Sequence, residues 1–279
     1  MTVVLLALAA SASWGVSDFL GGMTSRRLSL ATVMGITTPI GLVAIGGLVA
    51  VRGEPPPGTS FVLWGVLAGV LGAVGISSLY KGLSVGQMGV VAPISASAPL
   101  IPIVVGLVRG DRPSALQCAG IALAVVGVIL TSRERVEGSR RGRVAQGAAF
   151  GLIAATSFGV SLLALDEAAN ADPYWATFIV RVGAACTVLA ALLVIRGPIR
   201  APRSYWPTLV AVGLLDITGT VFFSVATTKG LISIVAALIT MVPVVVALLA
   251  RIVVHERLQQ IQIAGAGLAV AGVACISAG

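Results

Sequence analysis

The chain has 279 residues, of which 57% are hydrophobic and only 10% charged, and its mean hydropathy is +1.05. That composition excludes a soluble globular domain and defines an integral membrane protein. The formal charge of +8 does not point to nucleic acid, because the basic residues sit in short loops between apolar runs.

A helix needs about 20 apolar residues to cross a hydrocarbon core of ~30 Å. That length predicts ten spans, near 2–21, 29–51, 60–80, 88–108, 114–131, 147–165, 174–195, 204–225, 231–253 and 259–277. The first apolar run follows Met1 without a basic segment, so it reads as a span and not as a cleaved signal peptide. In the third span Gly65, Gly69, Gly72 and Gly75 share one stripe and allow close helix contact. The fourth carries Pro93, Pro99 and Pro102, and the ninth carries Pro243. Carbonyls freed by proline inside a bilayer must find partners in neighbouring helices or cavity water. Pro93, Pro99 and Pro243 are therefore expected to act as helix hinges beside a cavity. Cys118, Cys186 and Cys275 fall inside apolar runs as small packing residues, and neither a disulfide nor a metal site follows from them.

The second half repeats the first. An offset of 144 pairs Ala10 with Ala154, Ser13 with Ser157, Gly15 with Gly159 and Arg52-Gly53 with Arg196-Gly197. It continues through Gly69 and Gly213, Gly75 and Gly219, Gly86 and Gly230, and Pro99 and Pro243. Beyond one inserted residue the offset is 145 and pairs Arg112 with Arg257, Gln117 with Gln262, Gly120 with Gly265 and Gly127 with Gly272. Each copy holds five spans, an odd number, so the copies enter the membrane in opposite senses, as in many secondary transporters. The fold class expected is an all-α membrane protein of ten transmembrane helices, two inverted five-helix repeats around a central cavity. The division is a first repeat over 1–131, a cytoplasmic linker over 132–146 and a second repeat over 147–279. Thirteen basic residues fall on the linker's side and four, Arg52, Arg109, Arg112 and Lys229, on the other. That bias places both termini outside a cell membrane.

Charges within spans are functional candidates by default. Asp18 lies toward the cytoplasmic end of the first span, with Trp14 one turn away and Ser11 another turn back. It reads either as a group that holds or couples to cargo or as an interfacial carboxylate that reaches headgroups or pairs with Arg26 or Arg27. Arg181 and Asp216 sit on neighbouring spans, each expected ~12 Å below the outer surface. They read either as a structural ion pair or as one that breaks when charged cargo or a proton arrives. The repeat partners of Asp18, Arg181 and Asp216 are Leu162, Thr37 and Gly72, so the duplicated scaffold does not require these charges. Asp111-Arg112 and Glu256-Arg257 each close a hairpin and are expected to cap helix ends. His255, the single histidine, reads as a loop residue. Ser95, Ser97, Thr218, Thr220 and Thr240 offer hydroxyls near the prolines or mid-span, and Trp14, Phe158 and Tyr80 offer aromatic faces. Of the hydroxyls, Ser95 and Thr240 are retained as substrate-binding candidates.

The segments SASWGVSDFL, LYKGLSVGQMGVVAPISASAP, GDRPSALQCAGIALAVVGVIL and HERLQQIQIAGAGLAVAGV, with their duplicated order, resemble the ten-span EamA-like branch of the drug/metabolite transporter superfamily. The first copy has Asp111 where that family usually has Glu. The resemblance implies a helix bundle around a central cavity, lined by the first four helices of each half, and carriage of amino acids, sugars, nucleotide-linked compounds, drugs or other metabolites. The expected function is secondary active transport, export in direction, of a small molecule by alternating access of the two repeats. No phosphate-cradling G-x-x-x-x-G-K-[ST] loop is present for ATP drive. No catalytic signature is present for an enzyme. The expected partners are a small-molecule substrate, the lipid bilayer and protons as coupling ion, with no nucleic acid and no cofactor or metal. The competing class is a non-transporting membrane scaffold or receptor, which leaves the inverted repeat without a purpose. The sequence names no cargo and no oligomeric state.

Overall fold

A computed structural model of the chain describes residues 1–85, 88–131, 141–195, 199–255 and 259–279. The expected features at Gly86, the linker residues 132–140, Arg196-Gly197 and Glu256-Arg257 lie outside the described residues. The first half comprises α1 (Thr2–Ser25), α2 (Leu30–Arg52), α3 (Ser60–Val85), α4 (Met88–Ser95), α5 (Leu100–Arg109) and α6 (Ala115–Thr131). The second comprises α7 (Arg141–Ala169), α8 (Pro173–Ile195), a 3-10 turn at Arg203–Tyr205, α9 (Trp206–Thr227), α10 (Ile232–Ile239), α11 (Val242–Val253) and α12 (Gln260–Ala278). Eight segments are long and apolar enough to cross a membrane, and Leu100–Arg109 and Ala115–Thr131 are shorter apolar helices. Several helices outrun the expected spans, because their polar ends satisfy themselves locally. Thr24 and Ser25, past the expected end of the first span, donate their hydroxyls to the carbonyls of Leu20 (2.7 Å) and Gly22 (2.9 Å).

The fourth and ninth spans are each two helices. Pro99 has no N–H to give to the carbonyl of Ser95, which the amide of Ala98 takes instead at 3.1 Å. Pro102 likewise frees Ala98, whose carbonyl accepts from Ile101 at 3.2 Å. The chain turns through residues 96–99 and restarts as α5 with Pro99 at its N-cap. In the second half the break falls at Thr240-Met241, and Pro243 sits in the first turn of α11, where its missing N–H costs nothing. Pro99 and Pro243 thus flank the breaks, whereas Pro93 lies within α4, before the break.

The inverted repeat is visible contact by contact. The β-carbon position of Gly15 meets Val245, and that of Gly159 meets Ile101. Trp14 packs on Gly219 and Phe158 on Gly75. Ser17 donates to the carbonyl of Val212 (3.0 Å) and Ser161 to that of Ala68 (2.7 Å). Each pair maps onto the other at the offset of 144 read from the sequence. The halves interlock: α1 packs on α9, α3 on α7, α2 on α8, and α6 on α12. The helices α6 and α12 open with equivalent reciprocal caps, Ser114 with Gln117 and Gln259 with Gln262. The stripe of third-span glycines does what its spacing predicts, Gly65 and Gly69 against α8 and Gly72 and Gly75 against α7.

The α6–α12 contact depends on glycine. A β-carbon at Gly127 would stand 2.7 Å from the carbonyl oxygen of Gly265, which is backbone and cannot swing away. Gly127→Val is expected to lower stability by about 1–3 kcal/mol, read as an earlier thermal unfolding midpoint in detergent. Gly267, also on α12, has nothing within 4 Å of its β-carbon position. Gly267→Ala is expected to leave the midpoint in place or raise it by up to ~1 kcal/mol equivalent.

The two ends of the bundle differ. At the end that holds both termini, α5 packs on α10, and every residue of α10 is buried. At the opposite end the corresponding helices, α4 and α11, make no comparable contact among the described residues, and α11 has no buried residue. The termini end is also tied by polar groups. Arg52 at the end of α2 pairs with Asp172 (3.2 Å) and lies 4.0 Å over the ring of Tyr174. Asp172 in turn accepts the amides of Tyr174 and Trp175 and caps α8. Arg109 pairs with Glu167. Asp111 accepts the amide of Ser233 at 3.0 Å and so caps α10 of the other half.

Candidate functional site

The position of Asp18 follows from the angular order of residues around α1. Trp14, Ser17 and Gly21 face α9, while Ser11 and Gly15 face α10 and α11. Leu5 and Met23, on the far side, are exposed outward at 64% and 42%. Asp18 falls between the two packed stripes and away from the outward side, yet it is exposed. A residue that faces the interior and is still accessible lines an internal space. Asp216, at the middle of α9, behaves in the same way: its side chain is 38% exposed, while Leu214 and Val210 carry the outward face. The two carboxylates and the phenol of Tyr80 on α3 are within electrostatic range of one another. The phenolic oxygen lies 3.7 Å from the β-carbon position of Gly21, one turn from Asp18. Accessible carboxylates from α1 and α9, with Tyr80 from α3, thus meet in the interior where the two halves join.

Arg181 and Asp216 form an ion pair across α8 and α9. The guanidinium is only 11% exposed and its Nε has no hydrogen-bond partner. Asp216 lies halfway along its helix, which runs on to Thr227. Asp18 makes no ion pair with Arg26, Arg27 or any other described residue.

Trp14 and Ser11 do not stand free beside Asp18. The indole N–H of Trp14 donates to the carbonyl of Asp216 (3.1 Å), and its ring lies 5.7 Å from that of Phe223. Ser11 is buried and donates to the carbonyls of Ala7 and Leu238. The expected hydroxyl ligands are likewise engaged with their own helices. Ser95 donates to Ala92 (3.0 Å), Thr240 to Ala237 (2.6 Å), Thr220 to Asp216 (2.9 Å) and Thr218 to Leu214 (2.7 Å). Ser95 and Thr240 are buried at the two helix breaks and Thr218 is half-buried. In a bilayer such bonds replace the solvent that a hydroxyl would otherwise need. Cys118 and Cys186 are exposed, so they do not fill the core as expected. His255 is exposed past the end of α11, in the left-handed region at φ 59°. Among the described residues no group of three potential metal ligands occurs.

Two features escaped the sequence reading. The serine pair Ser17 and Ser161 was legible as identical residues at the repeat offset. Asp166 and Glu167 lie inside α7, which continues to Ala169, past the expected end of the span; the polar run LDEAAN hid that continuation.

An all-helical bundle of two interlocked inverted halves, with charged groups in its interior, defines a membrane transporter. A model of the EamA-like transporter family matches residues 1–133 and again 145–278. The chain belongs to that family, within the drug/metabolite transporter superfamily. A crystal structure superposes with a TM-score of 0.81 at 18% identity, covering 98% of this chain and 95% of its own, and shows the same fold. No curated protein matches in sequence.

Proposed function

We propose that this protein carries out secondary active export of a small metabolite or drug across the cell membrane, by alternating access of its two repeats. The observation that carries the reading is the inequality of the two ends. Two copies of one design should seal both ends alike, yet α10 is wholly buried against α1, α5 and α6, while its counterpart α4 packs on α7 but makes no comparable contact with α11 among the described residues. Exchange of those two arrangements would close the open end and open the closed one, which is alternating access about a midplane site. With both termini outside, as the loop charges direct, the open end faces the cytoplasm and the exporter is poised to load. The interior site contains Asp18, Tyr80, Trp14 and the Arg181–Asp216 pair, and a proton gradient drives the cycle.

Proteoliposomes loaded with a mixed metabolite pool, with and without a proton gradient, test this reading. The expected result is movement of at least one solute that accelerates when the gradient is imposed. Movement of no solute under either condition would overturn it and favour the scaffold class.

A further inference from the structure

The first turn of α10 holds a hydroxyl that the fold leaves without a partner. Among the described residues two buried side-chain polar atoms lack a hydrogen bond, Arg181 Nε and Ser233 Oγ. Arg181 is held through the rest of its guanidinium by Asp216, whereas Ser233 is fully buried and its hydroxyl meets nothing. The cause is local. A serine or threonine within a helix gives its hydroxyl to the carbonyl three or four residues back, as Ser224 does to Thr220 and Thr240 to Ala237. For Ser233 those residues are Lys229 and Gly230, which precede the helix, and the chain enters α10 through Leu231 in an extended conformation, ψ 132°. The packing is tight here: a β-carbon at Gly106 of α5 would stand 2.6 Å from Asp111 Oδ2 and 3.2 Å from the Ser233 amide nitrogen.

A buried hydroxyl without a partner carries the full cost of its desolvation. Ser233 therefore acts in two senses at one contact. Its amide, accepted by Asp111 at 3.0 Å, ties α10 to the turn after α5, while its hydroxyl raises the free energy of the same contact. Alanine would fit the space without that cost. At the repeat offset of 144 the equivalent residue is Gly89 in α4, so the hydroxyl belongs to one end of the bundle only. Resting on the transport reading above, in which the α5–α10 contact parts in each cycle, we infer that Ser233 is a positioning residue that keeps this contact from locking. Its hydroxyl is unbonded while the helices are together and gains water when they separate, which shifts the balance toward the separated arrangement.

Access to the contact can be followed without a cargo. Ile103→Cys places a reporter at a buried position on α5, in the full chain in lipid nanodiscs, with Cys118, Cys186 and Cys275 replaced by Ala. Alkylation by a bulky hydrophilic maleimide then reads how often α5 and α10 separate. Ser233→Ala removes the hydroxyl and keeps the amide for Asp111. It is expected to slow alkylation about tenfold, with the unfolding midpoint unchanged or raised. Ser224→Ala, at an equally buried serine whose hydroxyl is bonded to Thr220 at 2.9 Å, is expected to bring no slowing. An equal or faster rate in Ser233→Ala, a lowered midpoint in that variant, or the same slowing in Ser224→Ala would each overturn the assignment. The mixed-pool assay in proteoliposomes keeps the two readings apart. Solute movement together with an unslowed Ser233→Ala rejects the part given to Ser233 and leaves transport standing. A chain that moves no solute, and whose reporter is alkylated in no variant, loses the transport reading and this inference with it.

Discussion

Asp216→Ala is expected to destabilise the folded protein by about 3–5 kcal/mol, and Arg181→Ala by less, although the two residues belong to one ion pair. The asymmetry follows from where each charge is left. Without Asp216, a guanidinium that is 11% exposed, and whose Nε already lacks a partner, stays charged within a span. Arginine does not deprotonate to escape that cost. Without Arg181, the Asp216 carboxylate is 38% exposed to the internal space and water supplies part of the lost interaction. Joint replacement of Arg181 by Met and Asp216 by Leu removes both charges, and is expected to recover most of the stability lost in Asp216→Ala. Thermal unfolding of the four proteins in one detergent makes the comparison. Equal losses in the two single variants, or a double variant as unstable as Asp216→Ala, would show that the pair does not act as described. Transport by the double variant then asks a separate question. Folding with loss of transport assigns the pair a part in the cycle, and retained transport makes it structural.

Removing the Asp111 carboxylate is expected to loosen the closed end. Asp111 lies between α5 and α6 of the first half, and its Oδ2 accepts the Ser233 amide at the start of α10 in the second. It thus joins the halves at the contact that the proposed cycle would have to part, and it sets a negative charge at a helix N-terminus. A hydrogen bond to a charged group contributes roughly 1.5–3 kcal/mol, so Asp111→Ala should raise the population open at this end by about 10- to 100-fold. The reporter is Ile234→Cys, at a position only 9% exposed, in a background with Cys118, Cys186 and Cys275 replaced by Ala. Alkylation by a bulky hydrophilic maleimide should accelerate by that factor in Asp111→Ala, and by less in Asp111→Asn, whose amide oxygen still accepts. An unchanged rate would mean that apolar packing of α5 on α10 holds the seal without this bond.

Much of this arrangement was legible before any coordinate. The repeat pairing of Gln117 with Gln262 was read from the sequence, and the structure shows both in equivalent caps at the start of α6 and α12. Proline placement marked both helix breaks, since a missing N–H is a local property of the chain. The assignment of hydroxyls to cargo did not follow from residue type, because a serine or threonine in a helix has its own carbonyl three or four residues back as a competing acceptor. The interior neighbour of Asp18 was equally beyond reach. Arg26 and Arg27 are near in sequence but make no ion pair with it, whereas Asp216 is distant in sequence and near in space.

The sequence by itself determined the ten spans, the inverted duplication and the helix breaks. In a bilayer each segment must satisfy its own backbone hydrogen bonds, so length, apolarity and proline act locally and can be read locally. Only the tertiary structure decided which charges are paired and which helices meet at each end of the bundle. Those properties arise where the halves cross, as between Trp14 and Asp216, 202 residues apart. The packing of two nearly equivalent halves has more than one solution, and the local pattern is the same in each.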